Sequence, residues 1–104
     1  MKLLIVDDSA TMRKIIMRSI RQSGLKVDKF LEAGNGKEAL DVIGSNPVDI
    51  VLLDINMPEM NGLEFLERLR SSPATKKLPV VMITTEGSEN IVKKAERLGL
   101  NGFI

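Results

Sequence analysis

Short apolar runs alternate with segments of helical period along the whole chain of 104 residues. "KLLIV" (Lys2 to Val6), "DIVLL" (Asp49 to Leu53) and "PVVMI" (Pro79 to Ile83) are almost continuously apolar, as strands buried on both faces are. Between the first two, Met12, Ile15, Ile16 and Ile20 share a helical face, with Arg13, Lys14, Arg18 and Arg21 mostly off it and Gly24 placed as a C-terminal cap. "VDKFLEA" reads as a weaker, alternating strand, and Lys37 to Ile43 as a short helix ended by Gly44, Ser45 and Pro47. Leu63, Leu66 and Leu69 mark a third helix stopped near Pro73, Ile91 to Leu98 a fourth, and "GFI" the start of a fifth strand. Strand and helix in strict alternation predict a doubly wound α/β fold, a parallel sheet with helices on both faces. The length suits one domain, and no repeat or inter-domain linker interrupts the pattern.

Composition closes off several chemistries. The chain has neither cysteine nor histidine, so it has no thiolate, no imidazole base, no Ser-His-Asp or Cys-His machinery and no Cys or His metal ligand. Any chemistry runs on carboxylates, hydroxyls and lysines. A net charge of +1 supplies no overall field for nucleic acid or a membrane surface. No apolar run reaches the length of a membrane span, and "MKLLIV" leads into charged residues rather than a cleavage site, so a soluble cytoplasmic protein is expected. With aromatics at 3%, the core has to be built from Ile, Leu, Val and Met.

In a doubly wound sheet the strands end at one edge, and ligands bind there, where the strand order reverses. Asp7 and Asp8 follow the first strand, Asp54 ends the third, and Thr84 and Thr85 follow the fourth. Each has a structural use of its own. Asp7, Asp8 or Ser9 suits the cap of the first helix, Asp54 suits an Asx turn before "MPEMNG", and Thr84 is an ordinary strand residue. None of these uses explains why acids gather at one rim. Two carboxylates about 4 Å apart repel by roughly 4 kcal/mol at an effective dielectric near 20. Three such groups call for a cation, and an all-oxygen set of few carboxylates suits Mg²⁺.

"LLIVDDSATMRKII", "VDIVLLDINMPEMNGLEFLERLR" and "LPVVMITTEG" resemble the receiver domain of two-component response regulators, in particular the chemotaxis type, over essentially the whole chain. The resemblance implies the flavodoxin-like strand order 2-1-3-4-5. It makes Asp54 the phospho-acceptor and Asp8 a direct Mg²⁺ ligand. Asp7 then acts mainly through water, and the backbone carbonyl of Asn56 completes the protein's share. Thr84 becomes the hydroxyl that moves to the phosphoryl group, and Phe103 the switching aromatic. The implied partners are a sensor histidine kinase as phosphodonor and a downstream protein, such as the flagellar motor or an output domain. Neither nucleic acid nor membrane is among them, and the chemistry is confined to gain and loss of the domain's own phosphoryl group. Asn56 and Glu86, two beyond Thr84, are placed to tune the phosphoryl lifetime.

The chain departs from that family at "NGFI", where relatives continue into a Lys-Pro pair and a fifth helix. Lys76, Lys77, Lys93 and Lys94 fall in a loop and on a polar helix face and do not replace that lysine. The expectation is therefore a C-terminally incomplete receiver over residues 1–104, its bare sheet face covered by a second copy or another polypeptide. If about 500 Å² of apolar sheet is uncovered, the loss is roughly 12 kcal/mol at most. Two other functions compete. A pseudo-receiver would act as an interaction or dimerisation module without phosphorylation. A haloacid-dehalogenase-type phosphohydrolase would need a second aspartate at position 56, where this chain has Asn56.

Overall fold

The structure, a computed structural model, describes residues 1–54, 62–83 and 102–103. In order these form β1 (Lys2–Val6), α1 (Ala10–Gln22), β2 (Lys29–Ala33), α2 (Gly36–Ser45), β3 (Ile50–Asp54), α3 (Gly62–Ser71), β4 (Val80–Ile83) and β5 (Gly102–Phe103). The five strands make one sheet in the order β2-β1-β3-β4-β5, parallel throughout. This is the order expected from the family resemblance. The fourth helix, expected over Ile91 to Leu98, lies outside the described residues, as do Asn56 and Thr84.

The pleat sorts each continuously apolar strand onto two faces. Leu4 and Val6 of β1, Val51 and Leu53 of β3, and Val80 and Met82 of β4 join Phe65, Leu66 and Leu69 of α3 and Ala39 of α2 in one fully buried cluster. On the other face, among the described residues, only Leu3, Ile5 and Leu52 are buried, under the partly buried Ile16, Met17 and Ile20 of α1 together with Val27, Phe30, Ile50 and Val81. The α1 side is the thinner layer: no residue of that helix is fully buried. Arg21 covers one flank with its guanidinium 5.1 Å from the centre of the Phe30 ring.

Two expectations need correction. Ile15 is not on the sheet-facing side of α1 but 52% exposed. The stripe that meets the sheet is Arg13, Ile16, Met17 and Ile20, spaced i, i+3, i+4, i+7, and the helix is rotated so that Ile15 falls on the flank. The short second helix runs on through Gly44 to Ser45. Asn46 makes this possible: its backbone N–H and its side-chain amide both donate to the Val42 carbonyl, at 2.9 and 3.1 Å, before Pro47 stops the helix.

Other sequence signals act as read. Gly24 adopts φ +84° just past α1, the left-handed conformation that a C-terminal cap demands. Asn35 caps α2 by accepting the Glu38 N–H at 2.8 Å, while Glu38 accepts the Gly34 N–H at 2.6 Å. Asn35→Ala is expected to lower stability by about 1 kcal/mol, read as a reduced urea midpoint with an unchanged m-value. Arg70, at the end of α3, donates to the carbonyls of Thr75, Lys76 and Leu78 and so turns the chain into β4.

Candidate functional site

Strand register builds the site. Val6 is paired with Leu53, so the residues that follow, Asp7 and Asp54, leave β1 and β3 at the same level. Asp54 is in turn paired with Ile83, the residue before Thr84. Asp7, Asp8 and Asp54 each bring a carboxylate oxygen to within 4.8 Å of the others. Asp7 is buried at 6% exposure, Asp54 is half-buried and Asp8 is exposed.

The capping role open to Asp7, Asp8 and Ser9 belongs to Ser9. Its hydroxyl accepts the Met12 N–H at 3.2 Å from an extended backbone, the geometry of an N-cap. Both aspartates are thereby left to the rim. Asp7 is held on several sides: its N–H donates to the Ala33 carbonyl at 3.1 Å, and its Oδ1 accepts the Ser9 N–H at 2.9 Å. Its carbonyl accepts from Arg13 Nη1 at 2.6 Å.

Electrostatics follow from this crowding. Burial pushes the Asp7 carboxyl above its ordinary value, and Asp8 beside it pushes the same way. The Ser9 amide and the Arg13 guanidinium pull it down without cancelling the rise. Asp7 is the one buried charged residue among those described, and it lies at the rim rather than in the core.

The donor set fits a small hard cation. Oxygens on opposite sides of an octahedral Mg²⁺ are separated by about 4.2 Å, since each lies about 2.1 Å from the ion. Three carboxylate oxygens inside 4.8 Å are close to that span. A groove among the described residues lies elsewhere, between α2 and α3, lined by Leu40, Glu64, Glu67, Arg68, Ser71 and Ser72. It is shallow and polar, and the rim, not this groove, gathers the groups that could do chemistry.

Of the residues singled out from sequence, Asp7, Asp8 and Asp54 come together. Asn56 and Thr84 lie outside the described residues, and Phe103 is described by its backbone alone, paired with Met82. Sequence reasoning missed Arg13, which it set among the residues mostly off the apolar face, and Glu32, whose Oε1 accepts from Arg13 Nε at 3.1 Å. The spacing of Arg13 ahead of Ile16, Met17 and Ile20 was the available signal.

A parallel sheet of order 2-1-3-4-5 with an acidic cluster beyond the ends of β1 and β3 defines a flavodoxin-like α/β protein whose site lies at the switch in strand order. The family model described as "Response regulator receiver domain" matches residues 3–104. A chemotaxis protein CheY homolog of Campylobacter jejuni is 44% identical over 105 residues, spanning all of this chain and 79% of that protein. Chemotaxis protein CheY1 of Helicobacter pylori is 43% identical, spanning all of this chain and 83% of that one. The solved structure of Vibrio cholerae CheY4 superposes with a TM-score of 0.86 at 31% identity, covering 99% of this chain and 83% of that one. The chain belongs to the response regulator receiver domain family. It is a signalling receiver, not an enzyme of metabolism. No described helix is long and apolar enough to cross a membrane.

Proposed function

We propose that Asp54 accepts a phosphoryl group with the help of Mg²⁺ held at the acidic rim, and that the charge so gained alters a protein-binding surface. The carrying observation is the convergence of Asp7, Asp8 and Asp54 within 4.8 Å at the open end of a family-typical sheet. Asp8, the exposed member, is suited to direct ligation, and Asp7, buried and tied to Ser9, to ligation through water. The Asn56 carbonyl completes the set. Bound Mg²⁺ would neutralise charge on the transferring phosphoryl oxygens.

With no histidine of its own, the chain takes the group from a phosphohistidine on a sensor kinase. A carboxylate oxygen of Asp54 attacks phosphorus, a P–O bond forms, the P–N bond breaks, and its electron pair returns to the donor imidazole, which takes up a proton. The product is an acyl phosphate, labile enough for a reversible signal. Thr84 supplies a hydroxyl to the phosphoryl group and Phe103 follows it. The names of the curated relatives favour a chemotaxis-type output, such as a flagellar motor component. A pure interaction module has no use for three acids in mutual repulsion, which tells against a pseudo-receiver.

Incubation with acetyl phosphate, with and without Mg²⁺, followed by intact-mass measurement, tests this reading. A Mg²⁺-dependent gain of one phosphoryl group is expected. No gain on a chain that circular dichroism shows to be folded would sink it.

The thin α1 layer supports a second proposal: the domain is completed by a helix C-terminal to residue 104 that lies beside α1 over Ile15. The relatives extend beyond the matched region by about a fifth of their length, ample for one helix. Adding the corresponding segment is expected to raise the melting temperature by 10 °C or more, at about 4–8 °C per kcal/mol for a domain of this size. An unchanged melting temperature would refute it.

A further inference from the structure

We infer that Arg13 is a positioning residue for the metal site: its guanidinium restrains the peptide that joins Asp7 to Asp8 and so sets how the two carboxylates are presented relative to one another. The carbonyl accepting from Nη1 at 2.6 Å is that of Asp7, which belongs to the Asp7–Asp8 peptide itself. The bond restrains ψ of Asp7 and φ of Asp8, the torsions that set the course of the chain out of β1 and hence where the Asp8 side chain is presented relative to Asp7 and Asp54. The preceding peptide is already fixed by the sheet, through the Asp7 N–H on Ala33. Beyond it the ladder ends, and Arg13 supplies the next donor.

The arginine is itself braced. Its Nε donates to Glu32 Oε1 on β2 at 3.1 Å, and its side chain is only 17% exposed. Its stem continues the stripe of Ile16, Met17 and Ile20, so the helix delivers it over the sheet and not into solvent. A guanidinium can satisfy a carbonyl and a carboxylate in two fixed directions at once, which a lysine ammonium on its flexible stem does not reproduce.

Positioning and plain electrostatics make opposite forecasts. A cation next to a divalent-ion site repels the ion, so if charge were all that mattered, removing Arg13 would tighten Mg²⁺ binding. If Arg13 aims the ligands, removing it weakens binding, by about tenfold or more for loss of a residue that orients metal ligands.

This inference rests on the reading of the rim as a Mg²⁺ site, and the experiment separates the two. Mg²⁺ affinity is measured by calorimetry on the parent chain, Arg13→Met, Arg13→Lys and Glu32→Ala, with Asp54→Asn as control. Expected are a loss of about tenfold in Arg13→Met, a comparable loss in Arg13→Lys despite its retained charge, and a smaller loss in Glu32→Ala. Glu32 is exposed, so its variant keeps the fold if an Arg13 variant does not. Unchanged or tighter binding in Arg13→Met, or in Glu32→Ala should the arginine variants unfold, overturns the inference. So does full rescue by Arg13→Lys. A parent chain that binds no Mg²⁺ overturns the metal reading as well.

Discussion

Asp54→Asn is expected to take up no phosphoryl group under conditions that load the parent chain fully. The amide is isosteric and keeps β3 and its pairing with Ile83, so the loss reads nucleophilicity and not folding. No other group stands ready to replace it. Serine and threonine hydroxyls need a base to be activated, and the chain has no histidine to serve. Asp7 is committed to the Ser9 amide, and Asp8 is exposed and, on the proposed reading, taken up by the metal. The group on the parent chain should be released by hydroxylamine, as an acyl phosphate is. A phosphoryl group that survives hydroxylamine, or one that appears on Asp54→Asn, would move the acceptor elsewhere.

Asp7→Asn is expected to make the metal-free protein more stable, by about 1–2 kcal/mol, a gain typical of removing an unfavourable charge. The amide oxygen can still accept the Ser9 N–H, while the buried charge and its repulsion from Asp8 and Asp54 disappear. The sign of the pH dependence follows from the raised Asp7 pKa. The folded state holds this proton more tightly than the unfolded chain, whose carboxyl titrates near its ordinary value of 3.8. Stability at this group is therefore fully present below 3.8 and is lost as pH rises through the higher folded pKa. The advantage of Asp7→Asn should be complete once the pH exceeds the raised folded pKa and should vanish as pH falls towards 3.8. Asp28, paired with the N-terminal ammonium and lowered by it, acts in the opposite sense. The difference between variant and parent, not either curve alone, is thus the informative quantity. Excess Mg²⁺ should narrow the gap by stabilising the parent more. Equal urea midpoints for the two proteins in EDTA would contradict the account.

Much of this is legible in the amino-acid sequence alone. The strands declare themselves because a parallel sheet buries both faces, which leaves "LLIV", "IVLL" and "VVMI" with no polar position to blur them. The acids are legible because they end such runs, and parallel strands all end at one edge. Helix α1 is where the reading slipped. Apolarity alone prefers the stripe from Met12 through Ile15, Ile16 and Ile20, whereas the true stripe admits a charge at Arg13. A cation on a core-facing register is acceptable only where the core gives way to a rim of carbonyls and carboxylates. That condition is tertiary and cannot be read from helical period. The extension of α2 through Gly44 is of the same kind, since a glycine reads as a stop until Asn46 is seen satisfying the Val42 carbonyl.

The unequal burial of the two sheet faces also bears on how the molecule breathes. Local opening follows the least-buried contacts, and α1 carries no fully buried residue, whereas α3 contributes Phe65, Leu66 and Leu69 to the dense side. Amide hydrogens in the last turns of α1 should therefore exchange with solvent through small excursions of the helix. Those of β1 and β3 wait for the whole sheet to come apart. Because Arg13 belongs to the helix that lifts, each excursion would release the Asp7–Asp8 peptide, and any ligand that holds the two carboxylates in place would slow exchange along α1.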